Sequence, residues 1–274
     1  MLKNVTAFLF ILISGLVFAQ QQWNVRFYHE TEGQEAVIYA DNPEIMPMSA
    51  QLSYTLQNMK STLPSGTTVV LPPLSEKTEI MRLTKIKQNA SNRFSYQTLI
   101  NFGNVLLEEY DEDHLYTLPF ENGKTQLIFQ GYRGKLSHHN ADALDFDLNV
   151  GDKVFAARGG LVVEAVENNT RNCPDISCAK FNNYILILHS DGTFAEYSHL
   201  KHNGSEVLKG DVVEQGQFIG YSGNTGYSTG PHLHFSVFIN RIDGKRDYLK
   251  TKFRTAEFPE GELLKEKQKY RRDY

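Results

Sequence analysis

Little in this 274-residue chain is present in excess. The net charge is only −4, with 22% charged and 41% hydrophobic residues. So mild a balance gives no reason to expect nucleic acid or a strongly anionic membrane surface as partner. Long helical periodicity is nearly absent, as are internal repeats and low-complexity tracts. Long apolar runs are missing too, apart from Ala7 to Val17 in MLKNVTAFLFILISGLVFAQ. That run is shorter than the ~20 residues needed to cross a bilayer. Lys3 precedes it and Val17-Phe18-Ala19 closes it, so residues 1–19 read as a secretory signal peptide. The mature chain is therefore expected outside the cytoplasm, periplasmic or extracellular, without a transmembrane segment. Cysteine is scarce: Cys173 and Cys178, in CPDISC, are the only two. In an oxidising compartment so close a pair is expected to form a disulfide closing a small loop. Half of a thiolate zinc site is the rival, but the sequence offers no further ligands of the right kind nearby. There is also no H-E-x-x-H, which excludes the helical zinc protease motif.

What is present is alternation. In NRFSYQTLINF, Phe94, Tyr96, Ile100 and Phe102 share one face of a strand. QLSYTL repeats the pattern with Leu52, Tyr54 and Leu56, and turn-rich LPSG and LPPL separate such runs. Residues 20–125 are expected to form a small β-sandwich. After the YTLPFENG turn, glycines and short apolar strands alternate densely, as in GGLVVEAV and NYILILHSDGTFAEYSHL. Residues 126–250 thus read as a second all-β unit. The charged tail 251–274 is expected to be a short helix or a disordered end.

Polar chemistry concentrates in the second unit. In a strand, residues i and i+2 point the same way, so His232 and His234 of GPHLHF project into one space. Asp145 sits in an apolar strand, beside Ala143, Leu144 and Phe146, where a lone carboxylate is costly to bury. A cation would offset that cost. His138 and His139 lie just upstream, and EYSHL places His199 at the end of another strand. The loop SGNTGYSTG, before the histidine pair, allows close backbone approach. His138, Asp145 and His234 would make a zinc set with an open position for water. His199 and His232 are then candidates to carry protons.

The ordered set SHHNADALDF, VGDKVFAARGGLVV, NYILILHSDGTFAEYSHL and LKGDVVEQGQFIGYSGNTGYSTGPHLHF resembles the LytM/lysostaphin family of zinc metallopeptidases. The resemblance covers residues from about 126 to 237. It implies a compact antiparallel β-sheet with the metal in its groove, and an endopeptidase acting on peptidoglycan stem peptides or cross-bridges. It assigns zinc to His138, Asp145 and His234, and general acid/base roles to His199 and His232. The gap between the first histidine and Asp145 is longer than in the compact form of the motif. It resembles a longer-loop variant opened by a Ser-His step, which selects His138 over His139. Tyr132 lies near where some members place a tyrosine that helps hold the oxyanion. The competing reading is a protein of the same fold that has lost catalysis and binds the wall or activates another hydrolase. Loss of ligands would mark that class, and all five positions here carry the right residue types.

Overall fold

The structure, a computed structural model, describes residues 23–274; the expected signal peptide lies outside the described residues. The chain is nearly all β. Two antiparallel sheets come first. One runs in the order Arg26–Glu32, Glu35–Asn42, Ser75–Lys85, Met59–Ser61, the other Thr67–Leu71, Met48–Gln57, Arg93–Phe102. Alternation sets their inner faces: Leu52, Tyr54 and Leu56 pair with Thr98, Tyr96 and Phe94. Between the sheets Ile38, Ala50, Leu52, Met81 and Leu83 are fully buried or nearly so.

A nine-stranded sheet dominates the rest. Its central strands, in spatial order, are Tyr184–Leu188, Phe194–Ser198, Leu233–Asn240, Ala143–Phe146 and Thr125–Gln130. Every pairing among them is antiparallel. Burial on both faces explains why these strands read as near-continuous apolar runs. One face carries Phe146, Ile185, Ile187, Tyr197 and Phe235 into the main core. The other carries Leu161, Val163, Leu186, Phe194 and Phe238, which pack against Ala40, Met46, Met48 and Leu71 of the first two sheets. Phe194 meets Phe102 edge-on, with ring centroids 5.1 Å apart. Polar contacts at this junction include Asn240 Nδ2 to Phe102 O at 3.1 Å and Lys209 Nζ to Glu44 Oε2 at 2.9 Å.

The tail corrects the sequence expectation. Residues 251–274 are neither a helix nor a disordered end. Lys269–Arg271 is a strand of the large sheet, paired with Thr125–Gln130. Lys252–Phe253 pairs in parallel with Leu115–Tyr116. Phe253, Leu264 and Tyr270 enter the main core while neighbouring charges stay outside. The charges hid an alternation too short to stand out.

Candidate metal centre and active site

Strand register builds the site. Ser198 lies directly opposite His234, His234 opposite Asp145, and Asp145 opposite Gln130. Residues directly opposite one another share a face, so one lateral row across four strands carries these side chains together. His138 joins the row from the loop between Thr125–Gln130 and Ala143–Phe146. Gln130 fixes that loop. Its Oε1 accepts from the backbone of Leu136 at 2.9 Å and Ser137 at 3.1 Å. Its Nε2 donates to Asp145 Oδ2 at 3.1 Å.

His234 Nδ1 is 2.9 Å from Asp145 Oδ1, and His138 Nε2 is 3.2 Å from both. His138 and Asp145 are almost fully buried, at 2% and 3% exposure. His138 Nδ1 faces the carbonyl of Gly131 at 3.0 Å. That acceptor requires the proton on Nδ1, so Nε2 turns a lone pair toward a carboxylate. Two acceptors facing each other need a cation or a proton between them. The titration shifts express the same demand. Burial favours a neutral Asp145, yet hydrogen bonds and charge from His138 and His234 outweigh it and hold the carboxyl well below its usual range. Burial likewise favours neutral His138, but Asp145 raises it. Two imidazoles and a carboxylate, one imidazole oriented by a backbone carbonyl, fit a zinc ion. His139 is exposed and stands apart from these convergent donors.

His199 and His232 flank the row, with ring centroids 4.6 Å apart. His199 Nδ1 donates to Thr225 O at 2.7 Å and His232 Nδ1 to Gly230 O at 2.8 Å. Each bond places a proton on Nδ1, and His232 Nε2 lies 3.8 Å from Asp145 Oδ1. Burial, aided by His232 and His234, pushes the His199 imidazole down to about 3. Burial also lowers His232. Both rings are thus neutral near pH 7, and with Nδ1 carrying the proton each leaves Nε2 unprotonated. His199 has φ +65°, a left-handed conformation costing a non-glycine residue about 1–3 kcal/mol unless its surroundings enforce it. The glycine-rich loop packs backbone to backbone beside it. A Cβ on Gly223 would come within 2.4 Å of Lys201 N.

All five residues line one cleft of about 460 Å³, rimmed by the apolar side chains of Phe129, Leu136 and Ile176. Tyr132 is not among them. Its hydroxyl lies 3.1 Å from both Thr251 O and Thr251 Oγ1, committed to the C-terminal segment. That geometry gives it no role in holding an oxyanion. Sequence reasoning passed over Gln130, Asn182 and the Glu196–Arg246 pair. Glu196 lines the cleft, bonded to Arg246 Nη1 at 2.7 Å and Ser198 Oγ at 2.6 Å. Burial opposes its charge, but Arg246 and Ser198 bring it down to about 2. Its position two residues before Ser198 on the site-facing side of EYSHL was the available signal. The Cys173–Cys178 disulfide is formed, in the loop that edges the cleft.

Residues 139–246 match the profile of Peptidase family M23. Lysostaphin of Staphylococcus simulans is 41% identical over 99 residues, which cover 35% of this chain and 18% of that protein. Peptidoglycan DD-endopeptidase ShyA of Vibrio cholerae is 37% identical over 107 residues, 38% of this chain and 21% of that one. The catalytic domain of Staphylococcus simulans lysostaphin, as a solved structure, is 32% identical, covering 46% of this chain and 87% of that chain with a TM-score of 0.34. The chain spans about a fifth of the length of these curated relatives. The sequence match makes residues 139–246 a peptidase domain. It is a domain of Peptidase family M23, and the matched span begins one residue after His138.

Proposed function

We propose that the protein is an exported, zinc-dependent endopeptidase that hydrolyses peptide bonds in peptidoglycan stem peptides or cross-bridges. The observation that carries this reading is the convergence of His138, Asp145 and His234 with two neutral, Nε2-presenting histidines beside them in one cleft. A zinc ion held by the three donors would act as a Lewis acid and let water ionise near pH 7. The chain's own part is proton management. His199 and His232, each held at Nδ1 by a carbonyl, accept a proton at Nε2 and return it to the leaving amine. Phe129, Leu136 and Ile176 give the cleft an exposed apolar rim on which a peptide chain can rest. The disulfide supports export, because such bonds persist in oxidising compartments. The endopeptidase names of the relatives support the substrate class.

The test is mass spectrometry of purified peptidoglycan after incubation with the mature protein. New amine and carboxyl ends at one kind of peptide bond are expected, and about 10² to 10⁴-fold more slowly with His232→Ala. Peptidoglycan that stays intact with zinc-loaded, folded protein would overturn the reading.

A further inference from the structure

The loop between the strands Gly160–Val166 and Tyr184–Leu188 takes no part in the donor cluster, yet it touches the supports of both proton-handling histidines. Its disulfide joins Cys173 to Cys178. Asp175 caps the short 3-10 helix Ile176–Phe181 by accepting from Ser177 N at 2.9 Å. Asn182 ends that helix, its own N–H bonded to Ala179 O at 3.1 Å. Its side chain then reaches the site. Asn182 Oδ1 accepts from His199 N at 3.0 Å, and Asn182 Nδ2 donates to Ser198 Oγ at 2.9 Å. One amide thus clamps the two residues where the backbone turns left-handed at His199. Gly226 makes room for it, since a Cβ there would lie 2.9 Å from Asn182 Cα. On the other side, Asn172–Cys173 pairs with Gly226–Tyr227, and Ser228 N donates to Cys173 O at 3.2 Å. Ser228 Oγ lies 3.4 Å from His232 Nδ1.

We infer that Asn182 is a positioning residue for His199, and that the Cys173–Cys178 loop is the brace that holds Asn182 in place. Among the described residues neither Asn182 nor the disulfide bonds His138, Asp145 or His234, so the brace is expected to act on proton transfer and not on metal retention. The inference rests on the peptidase reading above. A misplacement of about 1 Å in a reacting group is enough to cost about 10²-fold in rate. Ile176 and Ala179 of the same loop line the cleft, so an effect of the loop through the cleft wall would appear in KM and one through the clamp in kcat.

The experiment compares the full mature protein with Asn182→Ala, Asn182→Asp and the double variant Cys173→Ser/Cys178→Ser. Three quantities are read: zinc content, kcat and KM on a peptidoglycan peptide, and the NMR signal of the His199 Nδ1 proton, which the bond to Thr225 O shields from exchange. Asn182→Ala and the double serine variant should keep one zinc, lower kcat by about 10 to 100-fold with KM within about twofold, and lose or broaden that signal. Asn182→Asp retains an acceptor for His199 N but loses the donor to Ser198 Oγ, and should recover part of both. An unchanged signal in folded Asn182→Ala overturns the inference even if no peptide is cleaved. An effect on KM alone, or a loss of zinc, overturns it equally. Absence of cleavage by the parent, with the signal responding as described, would instead count against the peptidase reading.

Discussion

One face of the large sheet does two different jobs at its two ends. At one end Leu186, Phe194 and Phe238 are apolar and covered by the N-terminal sheets. At the other Glu196, Ser198, His234 and Asp145 occupy the same face and line the cleft or its row. The strand Phe194–Ser198 belongs to both, since Phe194, Glu196 and Ser198 are successive residues on that face. The change of chemistry falls within two residues. The backbone geometry is common to both ends, so what differs is what sits opposite: Met48 and Phe102 above Phe194, and the imidazoles of His138 and His234 beside Asp145. The lesson is that a rigid, well-covered sheet can hold a buried carboxylate in register a few residues from a hydrophobic junction.

The sharpest way to break the comparison is at His234. His234→Ala should lose zinc, and turnover should fall to background. His232→Ala and His199→Ala should keep zinc and lower turnover by about 10² to 10⁴-fold, the usual contribution of a positioned acid or base. Metal content and rate on the same folded samples check this. An inverted pattern, with zinc lost from His232→Ala and kept by His234→Ala, would exchange their assignments.

The apolar end should behave in the opposite way. Phe194 is 1% exposed and lies between Phe102 and Phe238. Phe194→Ala should destabilise the fold by about 3–5 kcal/mol, the range for a large buried aromatic. The rate of the protein that remains folded should change little. Denaturant unfolding, together with kcat well below the transition, separates the two effects. A kcat that collapses in fully folded Phe194→Ala would show that the two ends are not independent.

These contrasts also mark what could be read from sequence. Period-2 alternation placed His232 on one face with His234, and the apolar neighbours of Asp145 marked it as a costly buried carboxylate, because both facts are local. The loop from His138 to Asp145 fixed which side chains could reach, though the choice of His138 over His139 came from a resemblance and not from spacing. Gln130, Asn182 and Arg246 were illegible because each acts through a partner far along the chain. Asn182 bonds Ser198 and His199, and Arg246 meets Glu196, pairings that only strand register creates. Tail strands were missed for the same reason. Lys269–Arg271 has three residues, and its partner lies more than 130 positions away. The cover over Phe194 was illegible as well, since an apolar strand face does not state what packs on it.

A smaller effect concerns a buried histidine outside the site. His189 is 2% exposed and its Nε2 has no partner among the described residues. Burial, with Arg158 nearby, pushes it down from 6.5 to about 3. A histidine lowered in the folded state gains its proton first in the unfolded chain. Stability should therefore fall as pH drops below about 6.5, by up to about 1.4 kcal/mol per pH unit until about pH 3. His189→Asn should make the stability curve between pH 6 and 4 flatter by about that slope. Identical slopes for variant and parent would mean that His189 is protonated in the fold.

The most direct test of the central claim is the zinc content of protein purified without added metal, parent beside Asp145→Ala. The parent should hold one zinc per chain. Asp145→Ala, shown to be folded by its unfolding transition, should hold none, because two histidines without the carboxylate leave the set incomplete. Stoichiometric zinc retained in Asp145→Ala, or a folded parent that takes up no zinc when it is supplied, would contradict the account.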